Sequence, residues 1–440
     1  MLKKVTCLIV CLAAGLLCAE AQQAPGAVKT SAAAINNFMN MRFGMFIHWG
    51  PVSLRGTEIG WSRGNQVPKE EYDSLYKEFN PVLFNADAWV KIAKDAGMKY
   101  LTITARHHDG FCLWPTAYTS YNIMSTPYKK DIVGELARAC KKQGIKFCIY
   151  YSVLDWYHPD YPVHSPGNQA IDPKADMSRY VVFMKNQLRE LLTKYDPYML
   201  WFDGAWEAPW TDEMGRDMYA YLKGIRPGVI INNRLGKEMT GTSTTKKIDV
   251  SKMVGDYDTP EQVVGRMNME TPWESCFTIC SQWSWKPNDK MKSLKNCLSI
   301  ISKTAGGNGN LLLNVGPMPD GRIEARQAAR LKEIGRWLQR NGEAVYGTLG
   351  GPWEPAENYA STRKGNKVFL HVLQTDLPEL ELKNIPGRKV LKAAVLNGAD
   401  VKVSRQGDTL RVQLPADAPD GAGYIIELEL DDNAASLPVI

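Results

Sequence analysis

Short apolar segments alternate with helical patterns along most of the chain. The helical patterns are amphipathic, as where Asn85 can cap a helix whose apolar face contains Trp89 and Ala93. The apolar segments are rich in β-branched and aromatic residues and end in polar ones, which is typical of buried strands. They are residues 43–50, 99–108, 146–156, 198–205, 229–234 and 310–317. Because strands that are each followed by a helix run parallel, the pattern predicts a parallel sheet flanked by helices.

The number of strand–helix units favours a closed barrel over an open sheet. Six or more units over about 300 residues fit a (β/α)8-like barrel, and no G-x-G-x-x-G motif follows an early strand. The active site of such a barrel lies at the C-terminal ends of its strands. The polar residues predicted at those ends are His48, His107, His108, Asp155, Asp203, Arg234 and Asn314.

The pattern changes after about residue 345. Segments that alternate at period two follow one another, with turn sequences such as Asn397-Gly398 between them. This alternation is typical of antiparallel strands with one buried face. We therefore predict a barrel domain over residues 22–345 and an antiparallel β-sandwich over residues 346–440.

The first residues predict export from the cytoplasm. Two lysines precede an apolar run over residues 5–17, and Ala19-Glu20-Ala21 fits an A-x-A cleavage site, so residues 1–21 are expected to be a signal peptide. The run is too short to span a bilayer, and no later segment is long enough. A lipoprotein signal at Cys18 fits less well, because residues 15–17 match such a signal poorly. The protein is thus expected to be secreted, with the periplasm as its destination.

Charge and cysteine content limit the other function classes. The net charge of +6 is spread along the chain without a dense basic run, so nucleic acid is not an expected partner. The six cysteines outside the signal lack paired C-x-x-C spacing. Most are expected to be buried free thiols, although an exported protein permits a disulfide.

A catalytic metal is the first alternative for the strand-end histidines. Barrel metallohydrolases often carry two histidines separated by one residue on the first strand, and the segment around His48 lacks that pair. His158 and His164 lie in a proline-rich loop that resembles a wall or lid more than a ligand cage. We therefore expect no metal and no cofactor.

Asp203 is a carboxylate at the end of an apolar strand. A buried carboxylate is unfavourable unless it is paired, solvated or protonated. It suits nucleophilic attack at a sugar, because the oxocarbenium-like transition state is stabilised by a fixed negative charge. The alternative is an aspartate that caps a helix after the fourth strand.

A second carboxyl group is needed to protonate the leaving oxygen. Spacing does not choose among Asp256, Asp258, Glu261, Glu270 and Glu274. Glu261 follows a Thr-Pro dipeptide that can present it over a cleft. Glu274 lies in an apolar stretch and is a candidate for a structural ion pair with an arginine such as Arg234.

Aromatic residues gather near the predicted strand ends, as in sites that stack on the C–H faces of sugars. They are Trp49, Trp61, Phe111, Trp114, Tyr150, Tyr151, Trp156, Trp201, Trp206, Trp283 and Trp285.

An ordered set of motifs resembles the α-L-fucosidases of glycoside hydrolase family 29. The motifs are MRFGMFIHWGPVS, ARHHDGFCLWPT, YYSVLDW, LWFDGAW and GNLLLNVGPMPDG, and the likeness continues through RWLQRNGEAVYGT. The resemblance implies a barrel with a C-terminal β-sandwich. It also implies retaining, exo-acting removal of terminal L-fucose from oligosaccharides or glycoconjugates without a cofactor.

The resemblance also implies roles for individual residues. Asp203 corresponds to the nucleophile of the W-x-D-G segment, and Glu261 is our choice for the acid/base, with Glu274 second. Residues expected to hold fucose are His48, His107, His108, Tyr151, Trp201 and Arg234, with Trp61 bordering the 6-methyl pocket. Tyr150 replaces Tyr151 if the register is shifted by one residue. The alternatives are a barrel glycosidase for another sugar such as α-galactose and a non-catalytic sugar-binding protein.

Overall fold

A computed structural model describes residues 29–167, 170–415 and 423–440. The predicted signal peptide, residues 1–21, lies outside the described residues. Within the described ranges, no helix has the length and apolar character needed to cross a membrane.

The chain up to residue 344 alternates strands and helices. The strands are β1 (Phe43–Ile47), β2 (Tyr100–Arg106), β3 (Lys146–Ser152), β4 (Met199–Asp203), β5 (Ile230–Ile231), β6 (Glu274–Thr278) and β7 (Asn310–Val315). The α-helices are α1 (Ala32–Met41), α2 (Lys69–Tyr72), α3 (Ala86–Asp95), α4 (Ile132–Gln143), α5 (Met177–Tyr195), α6 (Asp212–Ile225), α7 (Leu294–Gly306) and α8 (Ala325–Asn341). Short 3-10 helices cover Pro51–Leu54, Leu75–Lys77, Ile123–Ser125, Asn233–Leu235 and Gly342–Ala344.

The seven strands form one parallel sheet with the order β5-β4-β3-β2-β1-β7-β6. Its two edges are joined by a short extended segment, in which Tyr257 bridges to Asn232 beside β5 and Asp258 bridges to Trp273 beside β6. The segment takes the position of an eighth strand. The predicted (β/α)8-like barrel is therefore confirmed, with a closure weaker than regular strand pairing.

Close packing inside the barrel explains a glycine in β1. A Cβ atom at Gly44 would lie 2.3 Å from the ring of Tyr100, the residue opposite it on β2. The glycine leaves room for the phenol ring, which packs with Phe38, Trp201 and Leu312 in the barrel interior. The predicted cap is also present, because Asn85 Oδ1 accepts a hydrogen bond from Ala88 N at 2.9 Å.

The region between β5 and β7 departs from the predicted pattern. The fifth strand was expected over residues 229–234 but spans only Ile230–Ile231, and β6 was not predicted. The described chain from residue 236 to residue 273 contains no helix, so the strand–helix rhythm that reveals the other strands is missing there. Helix α1, which closes the N-terminal end of the barrel, was also not predicted.

The C-terminal strands form two antiparallel sheets. They are β8 (Leu349–Gly350), β9 (Tyr359–Lys364), β10 (Lys367–Val372), β11 (Glu379–Lys383), β12 (Val390–Val395), β13 (Val403–Gln406), β14 (Thr409–Gln413) and β15 (Tyr424–Leu430). The sheet orders are β12-β15-β10-β9-β8 and β11-β14-β13. Leucine and valine side chains from both sheets share one buried core, as predicted for a sandwich. The domain boundary at residues 345 and 346 stays a prediction.

The six cysteines of the described ranges are all buried and unpaired. This confirms the expectation of free thiols.

A buried histidine links the barrel to the C-terminal sheets. The His371 ring contacts Ser302 Oγ of α7 at 3.0 Å and Thr362 Oγ1 of β9 at 3.1 Å. Thr362 donates its own hydroxyl proton to the Ala344 carbonyl, so it accepts from the imidazole N–H. Burial lowers the pKa of His371 to about 4.

Replacing this histidine should change the acid sensitivity of the fold. The unfolded chain takes up a proton near pH 6.5 while the folded chain keeps His371 neutral down to about pH 4, so the free energy of unfolding falls as pH decreases through that window. His371→Gln removes this contribution, roughly 3 kcal/mol at its full extent. Urea unfolding at pH 7 and pH 4 should show a smaller loss of stability in the variant. Equal losses in both proteins would contradict the assignment.

Candidate active site

A cavity of about 260 Å³ opens at the C-terminal ends of the barrel strands. Its lining residues are Phe46, His48, Trp61, His107, His108, Tyr150, Trp201, Asp203, Trp206, Arg234, Glu261, Cys276 and Trp283. The structure thus brings together eight of the nine predicted site residues, the exception being Tyr151. A larger hollow of about 750 Å³ beside α6 contains none of the nine.

Asp203 is the last residue of β4 and points into the cavity. Its Oδ1 accepts a hydrogen bond from Arg234 Nη1 at 2.9 Å, and its Oδ2 accepts one from the Tyr150 hydroxyl at 3.2 Å. His108 Nε2 lies 3.5 Å from Oδ2. Asp203 therefore carries its charge at the end of an apolar strand because a buried cation and a phenol compensate it.

Arg234 connects the two predicted catalytic carboxyl groups. It lies in the 3-10 turn after β5 and is 2% exposed. The same nitrogen, Nη1, donates to Asp203 Oδ1 at 2.9 Å and to Glu261 Oε2 at 2.8 Å. Thr259 accepts the remaining guanidinium bonds through its hydroxyl and its carbonyl. Two carboxyl oxygens within 2.9 Å of one nitrogen are at most about 5.8 Å apart.

Glu261 approaches the cavity from the loop that replaces regular structure before β6. Its backbone N–H donates to the Gly241 carbonyl at 2.8 Å, and the residue bridges to Cys276 of β6. Its side chain is 26% exposed, twice the 13% of Asp203. Of the two carboxyl groups, Glu261 is thus the one closer to solvent.

His48 and His108 are held in defined tautomers. Asn314 donates its amide to the Trp283 carbonyl at 2.7 Å, so its Oδ1 accepts from His48 Nδ1, also at 2.7 Å. Ser152 donates to the Leu154 carbonyl at 2.6 Å, so its Oγ accepts from His108 Nδ1 at 2.7 Å.

Both imidazoles are neutral. Burial lowers the pKa of His48 to about 3, and burial together with the Arg106 and Arg234 charges lowers that of His108 to about 3. Each Nε2 is therefore an acceptor without a proton, suited to a hydroxyl group in the cavity.

His107 contributes a ring face. Its imidazole stacks on Tyr150 with centroids 5.3 Å apart and an interplanar angle of 8°. Its Nδ1 is buried without a hydrogen-bond partner among the described residues. Burial lowers the pKa of His107 well below its usual value, so this ring is neutral as well.

Tyr150 lines the cavity and Tyr151 does not, which corresponds to the alternative register given for the sequence. Tyr150 opposes Trp201 in the β3–β4 register and shares its inward face, whereas Tyr151 opposes Phe202 and points to the helices. There the Tyr151 hydroxyl donates to Gln187 at 2.8 Å, and its ring lies against the Arg106 guanidinium. Period-two alternation along β4 puts Asp203 and Trp201 on one face, but it selects Tyr150 on β3 only once the register of the two strands is known.

Glu274 lies inside the barrel and does not line the cavity. It accepts hydrogen bonds from the Tyr100 hydroxyl, from Trp201 Nε1 at 3.1 Å and from the Tyr257 hydroxyl at 3.4 Å. The expected ion pair with Arg234 is not formed. Burial raises the pKa of Glu274 to about 7. It does not reach a substrate in the cavity.

Asp256 and Asp258, two other candidates for the acid, bind residues outside the cavity. Asp256 forms an ion pair with Lys223 at 3.0 Å, and Asp258 accepts from Asn233 Nδ2 at 2.7 Å. Asp155, which was predicted at a strand end and not as an acid, pairs with Arg106 at 3.2 Å on the helix side of the sheet. None of these three lines the cavity.

Two cavity residues, Phe46 and Cys276, were not predicted as site residues. Phe46 lies two residues before His48 on the same strand face, so strand periodicity could have found it. Cys276 belongs to β6, the strand that the sequence pattern did not reveal. Among the described residues, no three histidine, cysteine or carboxylate side chains converge as metal ligands would.

A family model and a related sequence that match this chain are those of α-L-fucosidases. The α-L-fucosidase family model matches residues 17–343. Tissue α-L-fucosidase from Bos taurus is 32% identical over 366 residues, which cover 76% of this chain and 74% of the bovine protein.

Solved structures give the same result over a larger share of the chain. α-L-Fucosidase isoenzyme 1 from Paenibacillus thiaminolyticus is 34% identical with a TM-score of 0.80, covering 91% of this chain and 99% of that one. A family 29 α-L-fucosidase from Bacteroides thetaiotaomicron, trapped as a covalent intermediate with 2-fluoro-fucosyl fluoride, is 32% identical with a TM-score of 0.81 and covers 92% and 98%. The chain therefore belongs to the α-L-fucosidase family, glycoside hydrolase family 29.

Proposed function

We propose that the protein is a retaining, exo-acting α-L-fucosidase that removes terminal α-L-fucose from oligosaccharides or glycoconjugates by double displacement. The observation that carries the proposal is the shared contact of Asp203 and Glu261 with one nitrogen of Arg234, which keeps the facing oxygens within about 5.8 Å. Carboxyl groups about 5 to 5.5 Å apart are typical of retaining glycosidases, and wider pairs of inverting ones. The covalent intermediate of the Bacteroides relative supports the same course.

Asp203 acts as the nucleophile in this proposal. Arg234 and Tyr150 bind its two oxygens, so the carboxylate is held in a fixed orientation. Attack on C1 of the sugar forms a glycosyl ester and releases the leaving oxygen. As the ester forms, the negative charge on Asp203 disappears.

Glu261 acts as the acid and then as the base. Arg234 supplies one positive charge to two carboxyl groups, so a single proton on the pair leaves the cluster neutral. In the role of acid, Glu261 donates a proton to the glycosidic oxygen, and its greater exposure suits the open side of the cavity where the leaving group departs. Once Asp203 is esterified, it no longer carries a negative charge, and Arg234 forms an ion pair with Glu261 alone. The Glu261 carboxylate can then accept a proton from the attacking water.

The cavity walls suit one deoxy-sugar. His48 and His108 present Nε2 acceptors for sugar hydroxyl groups, while the apolar part of the wall suits a methyl group. Members of the apolar part are Phe46, Trp201, Cys276 and Trp283. The volume of about 260 Å³ lies below the roughly 300–1,000 Å³ of sites for drug-sized ligands, as expected for exo-acting removal of one monosaccharide.

Replacing the two carboxyl groups should separate their roles. We expect Asp203→Ala to abolish turnover of an aryl α-L-fucoside, because no covalent ester can form. Glu261→Ala should lower the rate by about 10²–10⁴-fold, and azide should restore part of it by attacking the ester without base assistance. Initial products followed by NMR should retain the anomeric configuration.

Glu270→Ala provides the matched control, because this glutamate is exposed and lies on the same loop but outside the cavity. It should turn over substrate like the wild type. Wild-type kinetics in Glu261→Ala, without any azide effect, would remove Glu261 from the mechanism. Inverted products would exclude double displacement.

The two adjacent tyrosines should behave differently. Tyr150→Phe removes a hydrogen bond to the nucleophile, and we expect kcat to fall about 10-fold with little change in the melting temperature. Tyr151→Phe removes the bond to Gln187, so it should lower stability by about 1 kcal/mol and leave kcat unchanged. Steady-state kinetics and thermal unfolding distinguish the two. A loss of kcat in Tyr151→Phe and not in Tyr150→Phe would contradict this assignment and favour Tyr151 as the site residue.

We also propose that residues 1–21 are removed during export and that the protein functions in the periplasm. The lysine pair, the apolar run and the A-x-A site support this proposal. N-terminal sequencing of the protein from a periplasmic extract should begin at Gln22. Recovery of the full-length chain in the cytoplasmic fraction would contradict it.

A further inference from the structure

We propose that Glu274 is a positioning residue that holds the indole of Trp201 and, through it, the groups that orient both catalytic carboxyls. Its kinetic test rests on the fucosidase activity proposed above, whereas its spectroscopic test does not.

Glu274 is a buried carboxyl group without a cationic partner. It is fully buried at the start of β6, and its hydrogen bonds come from two phenols and one indole. No lysine, arginine or histidine of the described residues forms an ion pair with it. A carboxyl group in such a place is costly, and an apolar side chain would fill the space at lower cost. Unlike an apolar residue, Glu274 supplies a hydrogen-bond acceptor.

The acceptor fixes a side chain of the cavity wall. Nε1 is the only polar atom of the Trp201 side chain, and it donates to Glu274 Oε1 at 3.1 Å. This bond determines which edge of the indole points into the barrel. Trp201 is also one of the residues that line the cavity.

Two groups that orient the carboxyls rest on this indole. Tyr150 stacks on Trp201 with centroids 5.6 Å apart and an interplanar angle of 18°. The Arg234 guanidinium lies 4.7 Å from the centre of the Trp201 ring. These are the same side chains that donate to Asp203, and Arg234 also donates to Glu261. A rotation of the indole would therefore displace donors of both carboxyl groups.

A second carboxylate–indole pair provides a matched control. Glu190 of α5 is buried and accepts from Trp114 Nε1 at 3.2 Å. Trp114 is fully buried and does not line the cavity. Removing the acceptor at Glu190 should thus cost stability without reaching the site.

The kinetic experiment compares acceptor and non-acceptor substitutions. Glu274→Leu should lower kcat/KM for an aryl α-L-fucoside at least about 10-fold, mainly through kcat. Glu274→Gln keeps a carbonyl oxygen for the indole N–H and should stay within about threefold of the wild type. Glu190→Leu should lower the melting temperature while kcat/KM stays unchanged. A loss in Glu190→Leu as large as in Glu274→Leu would overturn the proposal.

A double-mutant cycle tests whether the effect passes through the indole. Trp201→Phe removes the same hydrogen bond, so Glu274→Leu should cause no further loss in that background. Additive losses would overturn the proposal, as would wild-type kcat/KM in Glu274→Leu.

Spectroscopy provides a test that is independent of turnover and of the leucine variant. In protein labelled with ¹⁵N-tryptophan, the Trp201 indole N–H resonance is identified by its absence in Trp201→Phe. Glu274→Gln should shift this resonance because the acceptor changes from a carboxyl group to an amide. An unshifted resonance would overturn the inference even if Glu274→Leu does not fold. A wild-type protein without fucosidase activity would instead refute the proposed function and leave this measurement valid.

Discussion

The placement of one guanidinium group between two carboxyl groups organises the site. Arg234 is almost completely buried, and a buried cation is tolerated only when its charge and its donors are matched. Asp203 and Glu261 supply the charge, and Thr259 accepts two further hydrogen bonds from the guanidinium. The contact explains why a carboxylate can end the apolar strand β4. It also ties the irregular loop before β6 to the barrel, so the pair of carboxyls is held at a fixed spacing.

Neutral donors satisfy two other buried carboxyl groups near the site, those of Glu207 and Glu274. Glu207, after β4, accepts from Trp156 Nε1 at 3.1 Å and from the Tyr161 hydroxyl at 2.5 Å. Glu274 is bound in the same way inside the barrel. Phenols and indoles compensate these groups without adding cations that would compete with Arg234 for the catalytic carboxyls. The tryptophans held in this way pack against residues of the cavity, so polar anchors and aromatic walls belong to one arrangement.

The accuracy of prediction followed the strength of local patterns. Most strands that follow a helix were predicted from the sequence. Strand β6 was not predicted, because no helix precedes it and because its first residue, Glu274, is an acidic residue. Eight of nine site residues were placed in the cavity, since strand ends of a parallel barrel converge on one face. Tyr151 lies outside the cavity because neighbours on a strand face opposite sides, and the boundary of β3 alone does not define which side is inward.

The sequence by itself determined the parallel barrel, the C-terminal sandwich, the family and the candidate carboxyl groups, because periodicity and ordered motifs are local properties of the chain. Only the tertiary structure decided between Tyr150 and Tyr151 and placed Glu261, not Glu274, at the cavity. These choices depend on strand register and on the path of an irregular loop. Both are fixed by contacts between residues far apart in sequence, such as Arg234 with Glu261, and no local pattern records them.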